Sequence, residues 1–187
     1  MQVEKTEIDG VLVVTPRVFR DERGFFVETW SQRAMSKAGI ASSFVQDNHA
    51  YSRQKGVVRG LHLQCPPVPQ GKLVRVVRGA IFDVAVDVRA GSPTCGRHVA
   101  VTLTAGNFRQ LWVPPGFLHG YATLEPDTEV IYKVTGDYAP ECDRGVAWDD
   151  PALAIPWPVA TPDAILSPKD RGNKPLSEHP VYFHYGA

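Results

Sequence analysis

The sequence predicts an all-β sandwich or barrel, and three observations carry that reading. Short β-branched or aromatic runs recur along the 187 residues, each closed by a turn containing Gly or Pro. Only one stretch carries both the start and the stop signal of a helix. Nothing in the composition marks a repeat, a low-complexity tract or a linker, so residues 1–187 are expected to form a single domain. A chain of this length can bury roughly 70% of its unfolded surface, enough for a real core.

Taken in order, residues 11–15 (Val-Leu-Val-Val-Thr) read as a strand stopped by Pro16. Residues 21–24 are a turn, and residues 25–30 are a β-rich run with Glu28 inside it. Residues 31–39 carry the helix: Ser31 as N-cap, helix formers through Lys37, and Gly39 as the stop. Residues 44–49 follow as a polar strand or loop. Residues 56–79 then hold two β-branched runs on either side of 65–71, whose prolines exclude both a helix and a central strand. Residues 81–88 alternate, with Phe82, Val84, Val86 and Val88 on one face and Asp83 and Asp87 on the other. Further strands are expected at 99–103, 110–113 and 129–135. Beyond Trp148 the chain is Pro-rich and stays ordered only by packing over the barrel.

Composition narrows the partners. Twenty basic residues balance twenty acidic ones, so nothing in net charge points to nucleic acid or an anionic membrane. Three cysteines without paired spacing suggest neither a disulfide framework nor a structural zinc, which fits a reducing compartment. The first residues lack a basic-then-apolar signal pattern, and no apolar run approaches membrane-spanning length, so a cytoplasmic location is expected.

The chemistry concentrates where polar side chains interrupt apolar strands, because buried polar groups cost free energy unless they are paired or line a cavity. His62 and Gln64 share one face by the strand period of two. Arg59 has the wrong parity to join them, unless Gly60 bulges the strand; alternation alone leaves both outcomes open. With Lys72, Asp83, His119, Tyr132 and Asp170, these are the groups that could reach a ligand in the mouth of a small barrel. Each also has a plain structural reading: a satisfied core histidine, a bonded buried tyrosine, a snorkelling lysine, or a capping acid after Ser167.

Gly56, His62-Leu63-Gln64, Lys72 and Gly79 have the layout of the first cupin motif, and Pro114-Pro115-Gly116-Phe117-Leu118-His119 resembles the second. Metal-binding cupins place a second His and a Glu where this chain has Gln64 and Lys72. An ammonium group there repels a divalent cation, so no metal is expected. The cavity would instead offer a base, a cation and a phenol. A cation beside a ketone oxygen stabilises an enolate, a neutral His can take the α-proton, and a phenol on the opposite wall can return one.

Read together, Asp21-Glu22-Arg23-Gly24-Phe25-Phe26-Val27-Glu28, Val45-Gln46-Asp47-Asn48, Arg59-Gly60-Leu61-His62, Gly71-Lys72-Leu73-Val74-Arg75, Tyr132-Lys133 and Leu166-Ser167-Pro168-Lys169-Asp170 resemble the dTDP-4-dehydrorhamnose 3,5-epimerase family. The resemblance runs in order from about residue 3 to residue 171. It implies a cupin-like jelly-roll barrel with a short N-terminal helix and a C-terminal segment packed on the barrel. It also implies inversion of C3 and C5 of a dTDP-4-keto-6-deoxyhexose, with a mono-epimerase or a 3,4-ketoisomerase on the same sugar-nucleotide class as the alternative. His62 would be the base oriented by Asp170, Tyr132 the acid, and Lys72 the partner of the C4 oxygen. Arg59, His119, Lys169 and Glu141 would contact the sugar-nucleotide, and Arg23, Glu28, Gln46 and Asn48 would complete its site. The family resemblance further implies no cofactor, and a homodimer whose N-terminal strands cross to the partner, so that Arg23 and Glu28 serve the other subunit's pocket.

Overall fold

The computed structural model describes residues 1–186. Two facing antiparallel sheets make up most of the fold. The larger has six strands in the order β1 (Gln2–Lys5), β2 (Leu12–Thr15), β11 (Gln110–Val113), β7 (Lys72–Arg78), β13 (Thr128–Val134) and β5 (Gln46–Ser52). The other has five: β10 (His98–Thr104), β8 (Ala80–Asp87), β12 (Phe117–Thr123), β6 (Val58–Gln64) and β14 (Asp143–Gly145). A hairpin, β3 (Val18–Asp21) and β4 (Gly24–Val27), stands apart as its own sheet. The short strands β9 (Arg89–Ala90) and β15 (Phe183–His184) pair in parallel. This is the cupin-like jelly roll.

The expected helix forms as α1 (Gln32–Lys37), where the Ser31 hydroxyl accepts from the Ala34 N–H and Met35 is the buried anchor. A second, shorter turn, α2 (Pro168–Arg171), is capped by Ser167. The two runs on either side of 65–71 are both strands, but they are not a hairpin. β6 belongs to one sheet and β7 to the other, so the Pro-rich loop carries the chain across the barrel mouth. β12 was not evident in the sequence because His119 and Gly120 interrupt its apolar pattern, yet every residue of it is buried.

Between the sheets lies the main core, with Val13, Val74, Val76, Leu111 and Val130 facing Ile81, Ala85, Leu103, Phe117 and Tyr121. A second cluster covers the outside of the five-stranded sheet. There Leu63, Val84, Val86 and Leu118 pack beneath Leu153, Trp157, Leu176 and Tyr182 of the C-terminal segment. The apolar face of β8 therefore looks outward, under the tail, while Asp83 and Ala85 look into the barrel. Each fully buried aliphatic side chain contributes about 1.5–3 kcal/mol, so this covering is what keeps the Pro-rich tail ordered.

Candidate active site

Two cavities of about 290 and 270 Å³ adjoin in the barrel mouth and share His62, Lys72 and Tyr132. Strand register explains the convergence. His62 of β6 is directly opposite His119 of β12, and Tyr132 of β13 opposes Val74 of the neighbouring β7. Lys72 opens β7 and pairs in register with Val134.

The parity problem at Arg59 is resolved by a bulge. β12 opposes Arg59 with Tyr121 and His62 with His119, so two residues of β6 face one of β12 between those pairs. Gly60 makes this possible: its φ is +114°, and a Cβ there would lie 2.7 Å from the Gly120 Cα and the His119 carbonyl oxygen. Arg59 thus lines the same cavity as His62, with its guanidinium donating to the Tyr51 carbonyl.

Both histidines are held by buried carboxylates. His62 Nε2 is 2.5 Å from Asp170 Oδ1, and His119 Nε2 is 2.7 Å from Asp83 Oδ1. Burial alone would raise the pKa of Asp170, but bonds from His62, Ser167 and the backbone outweigh it and hold the carboxyl below its ordinary range. An ionised Asp170 accepts from Nε2–H and leaves Nδ1 of His62 with its lone pair. Burial pushes Lys72 down to about 8, against the upward pull of Asp143 and Asp83. The same effect raises Tyr132, keeping a protonated phenol on the wall opposite β6.

Of the residues expected from the sequence, His62, Tyr132, Asp170, Lys72, Arg59, His119, Lys169, Gln46 and Asn48 all line these two cavities. Gln46 donates to the Asn48 side chain at 2.7 Å. Three residues are placed elsewhere. Glu141 is exposed on a 3-10 turn and lines neither cavity; Asp143, two residues on, takes the position inside and pairs with Lys169. Arg23 sits on the β3–β4 turn, paired with Asp21 at 2.6 Å, and the exposed Glu28 follows β4. Neither reaches the cavities of its own chain. Sequence reasoning missed Asp143, Tyr138 and Tyr121, which also line the mouth. The acids at 141 and 143 could not be ranked until the turn was seen to point one of them outward.

A paired imidazole, a neutral phenol and an ammonium group around one cavity define a cupin barrel equipped to move protons at carbon beside a carbonyl. The model of the dTDP-4-dehydrorhamnose 3,5-epimerase family matches residues 5–178, and the chain belongs to that family. It is 50% identical over 185 residues to a dTDP-4-dehydrorhamnose 3,5-epimerase from Sinorhizobium fredii, covering 99% of this chain and 94% of the relative. It is 37% identical over 179 residues to a dTDP-4-dehydrorhamnose 3-epimerase from Streptomyces niveus, covering 95% of this chain and 85% of that one. Among solved structures, the dTDP-6-deoxy-D-glucose-3,5-epimerase of Legionella pneumophila, in complex with dTDP-4-keto-L-rhamnose, superposes with a TM-score of 0.94 at 44% identity, covering 100% of this chain and 99% of that chain.

Proposed function

We propose that this protein is a dTDP-4-dehydrorhamnose 3,5-epimerase, inverting C3 and C5 of dTDP-4-dehydro-6-deoxy-D-glucose to give dTDP-4-dehydro-L-rhamnose. The observation that carries the reading is the placement of His62, bonded to Asp170, in one cavity with Tyr132 and Lys72. The C4 carbonyl acidifies the C–H bonds on both of its flanks. His62 Nδ1 takes the proton, the electron pair moves onto the C4 oxygen, and the Lys72 ammonium stabilises the resulting enolate. Tyr132 then delivers a proton to the opposite face, which inverts the centre. Solvent then takes the proton from His62 and returns one to the Tyr132 phenolate, and the same steps at the second flank complete the reaction. Arg59, His119 and Lys169 hold the diphosphate and sugar, Asp143 orients Lys169, and Gln46 and Asn48 hold the nucleoside end. Reaction in deuterated water tests this: deuterium should appear at both C3 and C5 of the product. Label at a single carbon would make it a mono-epimerase.

The higher identity to double epimerases, over nearly the whole chain, favours two inversions over the single one named for the more distant Streptomyces niveus relative. The working unit in our reading is a homodimer in which the β3–β4 hairpin crosses to the partner. Phe19, Phe25 and Phe26 on that hairpin are 50%, 58% and 69% exposed, an apolar patch that a second subunit would cover. Arg23 and Glu28 would then complete the partner's nucleotide site. Sedimentation should give twice the chain mass. The three free cysteines, two of them buried, support a cytoplasmic location. Among the described residues no helix is long and apolar enough to cross a membrane.

A further inference from the structure

We infer that Gln64 is a positioning residue which, with Gln70 and Gln46, clamps residues 136–139 and so sets the outer wall of the substrate cavity. In metal-binding cupins this position carries a second histidine aimed at the ion. Here the side chain is 4% exposed and turned wholly to backbone. Its Nε2 donates to the Val68 carbonyl at 2.8 Å and to the Asp137 carbonyl at 3.1 Å, while its Oε1 accepts from the Ala139 N–H at 2.9 Å. Both donors and the acceptor are thus committed.

The neighbouring glutamines complete the arrangement. Gln70 Nε2 donates to the Gly136 carbonyl at 2.7 Å and again to Asp137 at 3.3 Å. The Tyr138 N–H donates to Gln46 Oε1 at 3.4 Å. At each of four successive residues one backbone polar group is therefore bonded to one of three glutamine side chains. The fit is close, since a Cβ at Gly136 would lie 3.0 Å from the Pro69 carbonyl oxygen and 3.3 Å from Val68.

The segment matters because of what it presents. Tyr138, 59% exposed, lines the cavity beside His62, Lys72 and Tyr132, and its hydroxyl donates to Asp143 at 3.3 Å. With the ketone held at His62, the larger nucleoside end of the substrate must leave the barrel past this wall. The clamp touches none of the proton-carrying groups. Loosening it weakens ground-state binding and leaves the chemical step in place. That consequence rests on the epimerase reading above.

The test is a split between KM and kcat, together with direct binding of dTDP by calorimetry. For Gln64→Leu we expect KM and the dTDP dissociation constant each to rise about tenfold, with kcat within about twofold of the parent. Gln70→Ala, at a more open position that should not compromise folding, is expected to move both constants the same way by about threefold. Should Gln64→Leu fail to fold, Gln70→Ala alone decides. A fall in kcat with KM and dTDP affinity unchanged, or no change in either variant, overturns the clamp. If the parent protein binds dTDP but incorporates no deuterium, the epimerase reading fails and the clamp is judged on dTDP affinity alone. If the parent does not bind dTDP, both are wrong.

Discussion

His62 Nε2 and Asp170 Oδ1 are 2.5 Å apart although 108 positions separate them in the chain. One residue belongs to a central strand and the other to a single helical turn of the tail. The carboxylate accepts from Nε2–H and so orients the ring with Nδ1 toward the cavity, as a buried acid does in other His–Asp pairs. An amide at 170 still accepts from Nε2–H but brings no charge. We therefore expect Asp170→Asn to lower kcat about 10²-fold with KM little changed. His62→Ala should abolish exchange of the C3 and C5 protons with deuterated solvent; retained exchange would remove His62 from the role of base.

Tyr132 lines both cavities, and burial raises its pKa, so at neutral pH it can give a proton but has none to accept. Tyr132→Phe should slow formation of the epimerised product far more than it slows wash-in of deuterium into recovered substrate. Equal losses in the two rates, followed by NMR, would mean that the phenol is not a separate acid.

Lys72 supplies a prediction in pH. Its ammonium form exists below about 8 and is lost above, so the charge that our mechanism sets against the enolate oxygen disappears as pH rises through that value. The pH profile of kcat/KM should show a basic limb near 8. Asp143 pulls the Lys72 pKa upward, so Asp143→Asn should move that limb to lower pH. Lys72→Met, which keeps the length and removes the charge, should cost about 10²–10³ in kcat at pH 7.

Gly60 is where fold and site meet. At φ +114° and with no room for a methyl group, Gly60→Ala must move the strand or its neighbour β12. We expect a loss of about 3 kcal/mol in unfolding free energy, read by denaturant titration. Arg59 should also swing out of the cavity, raising KM in whatever fraction folds. An unchanged midpoint would mean that the backbone here relaxes freely.

Much of this was legible in the sequence, and what was not had definite physical causes. Local signals located α1, because its Ser31 cap and Gly39 stop are satisfied by the nearest residues, and turn residues located most of the strands. Nothing local says which sheet a strand joins: β6 and β7 are consecutive yet face one another across the barrel. The facing of Arg59 depended on a bulge that alternation alone leaves undecided. Asp83 and Val84 alternate in the sequence as anticipated, but which of them looks inward depends on the tail, an element some 70–100 residues further on. The site residues were named through the resemblance of several strings in order, and of those Glu141 lines neither cavity, because a turn too short to have a sequence signature faces it outward and Asp143 inward.

The placement of Asp170 bears on how the protein comes into being. The imidazole of His62 leaves the ribosome more than a hundred residues before the acid that orients it. A nascent barrel, however complete its two sheets, therefore has an unguided base until the tail arrives and wraps the outer sheet. The residues that cover the apolar strands and the carboxylate that orients His62 arrive on one stretch of chain, so the step that seals the outer sheet also completes the His62–Asp170 pair.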